Sequence, residues 1–143
     1  MALSIVDSYS ESNYSSTSNV YSGTSARGQS FTCSSNADIT YAKFYLRKSG
    51  SPTGSCYAKL YTHTGTFGTS SVPTNPLLAT SNAVDVSTLS GTLSLVKFTF
   101  STTYSMVAGT KYVIVFEYNG GNSSNYVVMG RDSTSPSHAG NYS

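Results

Sequence analysis

Tyrosines and cations recur at every second position in two stretches of this chain. Tyr41, Lys43, Tyr45 and Arg47 form the first row, and Tyr57, Lys59, Tyr61 and His63 the second. Side chains two apart on an extended strand share a face, so each stretch presents a row of phenols and charges. A tyrosine offers a flat apolar ring and a hydroxyl, which suits stacking on a sugar and equally suits a protein interface. If the two stretches are neighbours, four tyrosines and three cations make one flat patch. Ordinary cross-strand pairing on a solvated sheet would also select tyrosine, through its β-propensity.

A second group of residues falls in loops and at strand ends: Phe67, Asn119, Asn122, Asn125, Tyr126, Arg131, Asp132 and Tyr142. Asn, Asp and Arg hydrogen-bond sugar hydroxyls, and the aromatic members stack on sugar faces. Turn chemistry competes for the same residues, because Asn119-Gly120-Gly121-Asn122 is a strong turn signal.

Catalytic chemistry has little to work with. The acids are Asp7, Glu11, Asp38, Asp85, Glu117 and Asp132. A glycosidase needs two carboxylates about 5–10 Å apart, and Glu117 with Asp132 is the one duo that suggests itself. There is no Gly-x-Ser-x-Gly elbow for a serine nucleophile. His63 and His138 read as surface residues. The expectation is a protein that is not an enzyme. Asp38, Asp85 and Asp132 with loop carbonyls are the candidates for a structural Ca²⁺, and no other cofactor is expected. Cys33 and Cys56 read as small core hydrophobes, or as a disulfide if their strands meet.

These residues must be positioned by strands. Alternating apolar and polar runs are separated by Gly, Pro, Ser or Asn, and no stretch sustains a helical period. The alternation predicts strands near 29–33, 39–48, 56–63, 76–80, 83–88, 93–100, 111–118 and 125–131. A single helical turn is allowed between Val84 and Leu95, and 64–75 reads as a long loop. The predicted inner faces carry Phe31 and Cys33; Ala42, Phe44 and Leu46; Cys56, Ala58 and Leu60; Val96, Phe98 and Phe100; and Tyr112, Ile114, Phe116 and Tyr118. About eight antiparallel strands without helices make an all-β antiparallel β-sandwich, with a jelly roll as the expected topology. Residues 1–27 hold few alternating apolar residues and read as an N-terminal arm or edge strand, and 28–143 as the sandwich. The tail from Ser133 to Ser143 reads as a loop leading toward a further strand.

Composition agrees with a β-protein that works outside the cytoplasm. Ser (29) and Thr (18) fill about a third of the 143 residues, and charged residues only 10 %. The net charge of +2 is too small, and its cations too scattered, for a nucleic-acid partner. No apolar run approaches the roughly 20 residues that span a bilayer, so no membrane insertion is expected. The first residues show no basic region followed by a long apolar one, so no signal peptide is visible.

The segments Gly28-Gln29-Ser30-Phe31-Thr32, Phe44-Tyr45-Leu46-Arg47-Lys48, Gly50-Ser51-Pro52-Thr53-Gly54, Pro76-Leu77-Leu78-Ala79-Thr80-Ser81 and Ala108-Gly109-Thr110-Lys111-Tyr112 carry a resemblance over about residues 28–131. They resemble domains found in bacterial surface proteins of the choice-of-anchor type and in phage structural proteins, which are similar to jelly-roll carbohydrate-binding modules. The resemblance implies a binding or display module on an extracellular or virion surface. Its partner would be a glycan or a neighbouring structural protein, with room for a homo-oligomer. Such domains often stack a Trp on sugar. This chain has none, so the resemblance hands that role to tyrosine. The alternative is a purely structural virion protein, a capsid decoration or tail component acting through protein contacts.

Overall fold

The computed structural model describes residues 3–134 and 137–143. Met1 and Ala2, in the sequence read for a signal peptide, and Ser135 and Pro136, in the predicted tail loop, lie outside the described residues.

Among the described residues eleven strands follow in order: β1 (Ser16–Val20), β2 (Ala26–Thr32), β3 (Ala37–Asp38), β4 (Tyr41–Ser49), β5 (Ser55–Thr64), β6 (Val72–Thr80), β7 (Val84–Asp85), β8 (Ser94–Thr99), β9 (Ser105–Met106), β10 (Lys111–Glu117) and β11 (Tyr126–Arg131). Eight of them build two antiparallel sheets, in the orders β1-β11-β4-β8 and β2-β10-β5-β6. Successive long strands switch sheets except at the β5–β6 hairpin, and the last strands return beside the first. This is the interleaved double Greek key of a jelly roll. The two-residue strands β3 and β9 pair with each other, and β7 adds to β5.

The alternation fixes which face is buried. Phe44 and Leu46 on β4, Cys56, Ala58 and Leu60 on β5, Phe98 on β8 and Phe116 on β10 all enter one core. Phe44, Phe98 and Phe116 meet across the two sheets with ring centroids 5.7–5.9 Å apart. Burying each such side chain contributes roughly 1.5–3 kcal/mol. Both cysteines are free and buried, so they serve as small hydrophobes. Burial pushes the Cys56 thiol up to about 12. Tyr118 closes one end of the core, its hydroxyl donating to the Thr53 carbonyl at 2.7 Å. Burial pushes that phenol above its ordinary pKa.

Two differences from the sequence reading have local causes. The predicted strand at 83–88 is the two-residue β7 followed by a short 3-10 turn, Val86–Thr88, which the Asp85 side chain caps by accepting from the Ser87 amide. The predicted loop 64–75 ends sooner, because Val72, Pro73 and Thr74 already pair with the end of β5. The strand Ser16–Val20 has only Val20 as a buried apolar residue. It is held by its backbone ladder to β11 and forms the edge of its sheet.

Candidate functional site

The two tyrosine rows do not form one patch. β4 and β5 are consecutive in sequence but lie in different sheets. The link Gly50–Gly54 carries the chain across the core rather than around a hairpin, with Gly50 and Gly54 at positive φ. Each row does point outward, as the alternation requires, but the rows occupy opposite sides of the sandwich.

On the five-stranded side, the outward row Tyr57, Lys59, Tyr61 and His63 faces a sheet that is partly roofed. The loop before β6 folds over one half. Phe67 packs edge-on against His63, with centroids 6.2 Å apart, and lies 5.3 Å from the Lys111 ammonium. The C-terminal tail completes the roof. Gly28 and Ser143 exchange both backbone hydrogen bonds, so the tail adds to the edge of β2. Asn141 joins the two pieces. Its Oδ1 accepts from the Ser71 amide at 3.0 Å, and its Nδ2 donates to the Ser71 carbonyl at 2.9 Å. Its own amide donates to Ser30 Oγ at 2.8 Å. Ser30 and Ser71 are fully buried as a result, as is Val113 on the outward side of β10.

The other half of this side stays open as a cleft of about 340 Å³, lined by Ala26, Tyr61, Pro73, Thr74, Asn75, Val115 and Glu117. Pro73 to Asn75 form one wall, where the register of β6 against β5 slips between Leu60 and Thr62. Lys59 donates to Glu117 at 2.6 Å, and the side chains of the pair are only 20 % and 19 % exposed. Asn119 Nδ2 donates to the same Glu117 oxygen at 2.9 Å. Tyr57 stands directly across from Glu117 and flanks the cleft. The arrangement combines one aromatic ring, one amide, a neutralised ion pair and an apolar floor, at the small end of the volumes that hold small ligands.

On the four-stranded side the outward row is Tyr41, Lys43, Tyr45 and Arg47. It gains residues that the sequence reading did not join to it. Lys97 on β8 lies directly opposite Lys43, and Leu95 opposite Tyr45. The Lys97 ammonium sits 4.5 Å from the centre of the Tyr41 ring and that of Lys43 5.7 Å from it. Tyr14, from the N-terminal arm, meets Tyr45 edge-on at 5.8 Å. Gly130 makes this nesting feasible, because a Cβ there would meet Tyr45 Cδ1 at 2.6 Å. Tyr126 pairs with Tyr21 at 6.1 Å. The alternation of Leu95, Lys97 and Thr99 against Val96 and Phe98 already marked Lys97 as outward-facing. No local pattern announces Tyr14.

The predicted loop cluster is dispersed. Phe67 is in the roof on one sheet, whereas Tyr126 and Arg131 stand at opposite ends of β11 in the other. Asn122 and Asn125 satisfy their turn: Asn122 Oδ1 accepts from the Ser124 and Asn125 amides, and Asn125 Oδ1 from the Ser51 amide. Arg131 stacks on Tyr142, its guanidinium carbon 5.3 Å from the ring centre. Asp132 accepts from the hydroxyls of Tyr9 at 2.7 Å and Ser15 at 3.0 Å, and from the Thr134 amide at 2.8 Å. These bonds, that of Tyr9 foremost, hold its carboxyl well below the usual range.

The three carboxylates considered for Ca²⁺ are separately engaged: Asp38 with Ser105, Asp85 at its turn and Asp132 with the arm. Among the described residues no group of three His, Cys, Asp or Glu side chains converges. No helix there is long and apolar enough to cross a membrane. Comparison with protein-family models, with curated proteins and with solved structures found no match for this chain.

Proposed function

We propose that this protein is a non-catalytic glycan-binding and display module of an extracellular or virion surface, and that its sugar site is the cleft on the five-stranded side. The observation that carries this reading is the open half of that sheet. Tyr61 supplies a ring for stacking, Asn75 an amide, and Glu117 a carboxylate already neutralised by Lys59. A neutral sugar pairs its C–H face with the ring and its hydroxyls with the polar rim. Glu117 is the one acid lining the cleft, whereas hydrolysis by paired carboxylates requires a second within about 5–10 Å.

Screening the protein on immobilised neutral polysaccharides tests the reading. The expected result is binding to at least one of them, weakened at least tenfold by Tyr61→Ala with little change in melting temperature. Binding that survives Tyr61→Ala overturns the cleft assignment. Release of reducing sugar, lost on Glu117→Gln, overturns the non-catalytic assignment.

One observation favours the second reading, a structural virion protein. β6 ends its sheet on one side, and Val72 and Leu77 on it are 43 % and 42 % exposed. An exposed apolar edge invites pairing with another strand. Sedimentation that shows defined oligomers, together with no retention on any polysaccharide, would support that reading over the first.

A further inference from the structure

The outward face of the four-stranded sheet has an imbalance that its own chain does not correct. Lys43 and Lys97 are directly opposite each other in register. Like charges so placed destabilise a sheet. Arg47 continues the row on the same face of β4. Five of the six acids are engaged elsewhere. Asp7 pairs with His138, and Glu117 with Lys59. Asp38, Asp85 and Asp132 accept from Ser105, Ser87 and Tyr9. Glu11 opens a short exposed turn of the arm that packs against β11, and it makes no salt bridge among the described residues. Among the described residues, neither lysine of the pair nor Arg47 makes a salt bridge.

The tyrosines around these cations already have partners for their rings. Tyr41 lies beneath Lys97, Tyr45 against Tyr14, and Tyr126 against Tyr21. Single-stranded nucleic acid binds by stacking bases on aromatic faces, and here those faces are engaged. The face therefore offers ammonium and guanidinium groups with phenol hydroxyls between them. Such groups donate charge-assisted hydrogen bonds to oxyanions. A carboxylate is a more basic acceptor than a sulfate ester, so phenol donors favour it.

We propose that this face is a second binding site, for a carboxylate-bearing polysaccharide such as a polyuronate, held by Lys43, Lys97 and Arg47. It lies on the opposite side of the sandwich from the cleft and stands independently of the reading given to that cleft.

The test is binding of polygalacturonate to the full chain at low ionic strength, with neutral dextran, dextran sulfate and poly(dT) measured beside it. A triple variant, Lys43→Gln with Arg47→Gln and Lys97→Gln, is compared with a control of equal charge change, Arg27→Gln with Lys48→Gln and Lys111→Gln. Polygalacturonate should bind more tightly than the other three polymers at equal charge or mass concentration. Its binding should weaken with added salt and weaken at least tenfold in the first variant. In the control it should stay within about threefold. No binding by the wild type, equal losses in the two variants, or tighter binding of dextran, dextran sulfate or poly(dT) would each overturn the proposal. Circular dichroism melting of both variants separates lost binding from lost folding.

Discussion

Tyr45 and Tyr61 occupy equivalent outward positions on strands of opposite sheets, and their surroundings differ in kind. Around Tyr61 the sheet is roofed by the loop before β6 and the C-terminal tail, and its Lys59–Glu117 charges cancel across 2.6 Å. What stays open there is concave and electrically balanced. Around Tyr45 the sheet carries residues of the arm, with Tyr14 against Tyr45 and Tyr21 against Tyr126, and among the described residues its cations make no salt bridge. What stays open there is flat and positive. The same alternation of tyrosine and cation thus gives a cleft on one side and a charged platform on the other. The outcome depends on what the neighbouring segments supply: an acid and a roof on one side, a third cation on the other.

Breaking the core that separates the two faces should have the largest effect. Phe98→Ala, at a fully buried position, is expected to cost about 3–5 kcal/mol in denaturant unfolding. Tyr41→Ser, on the platform, should cost under about 1 kcal/mol, the range of an exposed cation–π contact. Equal losses would mean that Tyr41 is a core residue.

Removing the roof comes next. Asn141→Ala leaves the buried Ser71 amide and carbonyl without their partners. Leaving buried groups of this kind unpaired costs about 1–3 kcal/mol, and a loss toward the upper end of that range is expected. Hydrogen exchange should rise at Ser71 and Val113 while Tyr45 and its neighbours stay protected. Unchanged exchange at Val113 would show that the tail does not cover that half of the sheet.

The smallest effect concerns the arm. His138 Nε2 lies 2.9 Å from Asp7 Oδ2, and that hydrogen bond, against opposing burial, raises the imidazole pKa. Such a pair contributes stability that is fully present below the unfolded pKa of about 6.5 and is lost as pH rises through the folded one. The bonds to Asp132 act in the opposite sense. Its lowered pKa gives stability present above about pH 3.9 and lost as pH falls through the folded value. An NMR titration should place the His138 midpoint above 6.5 and show it falling in Asp7→Asn. An unchanged midpoint in that variant would contradict the Asp7 contact.

The strands and their buried faces were legible because burial on one side imposes a period of two. Phe44 and Leu46, and Cys56, Ala58 and Leu60, went inward as the alternation required. Which strands pair was not legible, since both sheets of a sandwich need the same pattern. The short Gly50–Gly54 link suits a hairpin as well as a crossing. The unbroken apolar run Tyr112–Phe116 is itself a signal of burial on both sides. A strand without polar alternation is covered on both faces, and Val113 is fully buried beneath the roof. Asn141 had no local signature, because its partners lie 70 and 111 residues away.

Competition between the two ligand classes tests the central contrast most directly. A neutral polysaccharide fragment found by screening is titrated into the protein with and without saturating polygalacturonate. Two faces on opposite sheets predict the same affinity for the neutral fragment in both titrations. Competitive displacement of one ligand by the other would contradict the account, because it would place both on a single surface.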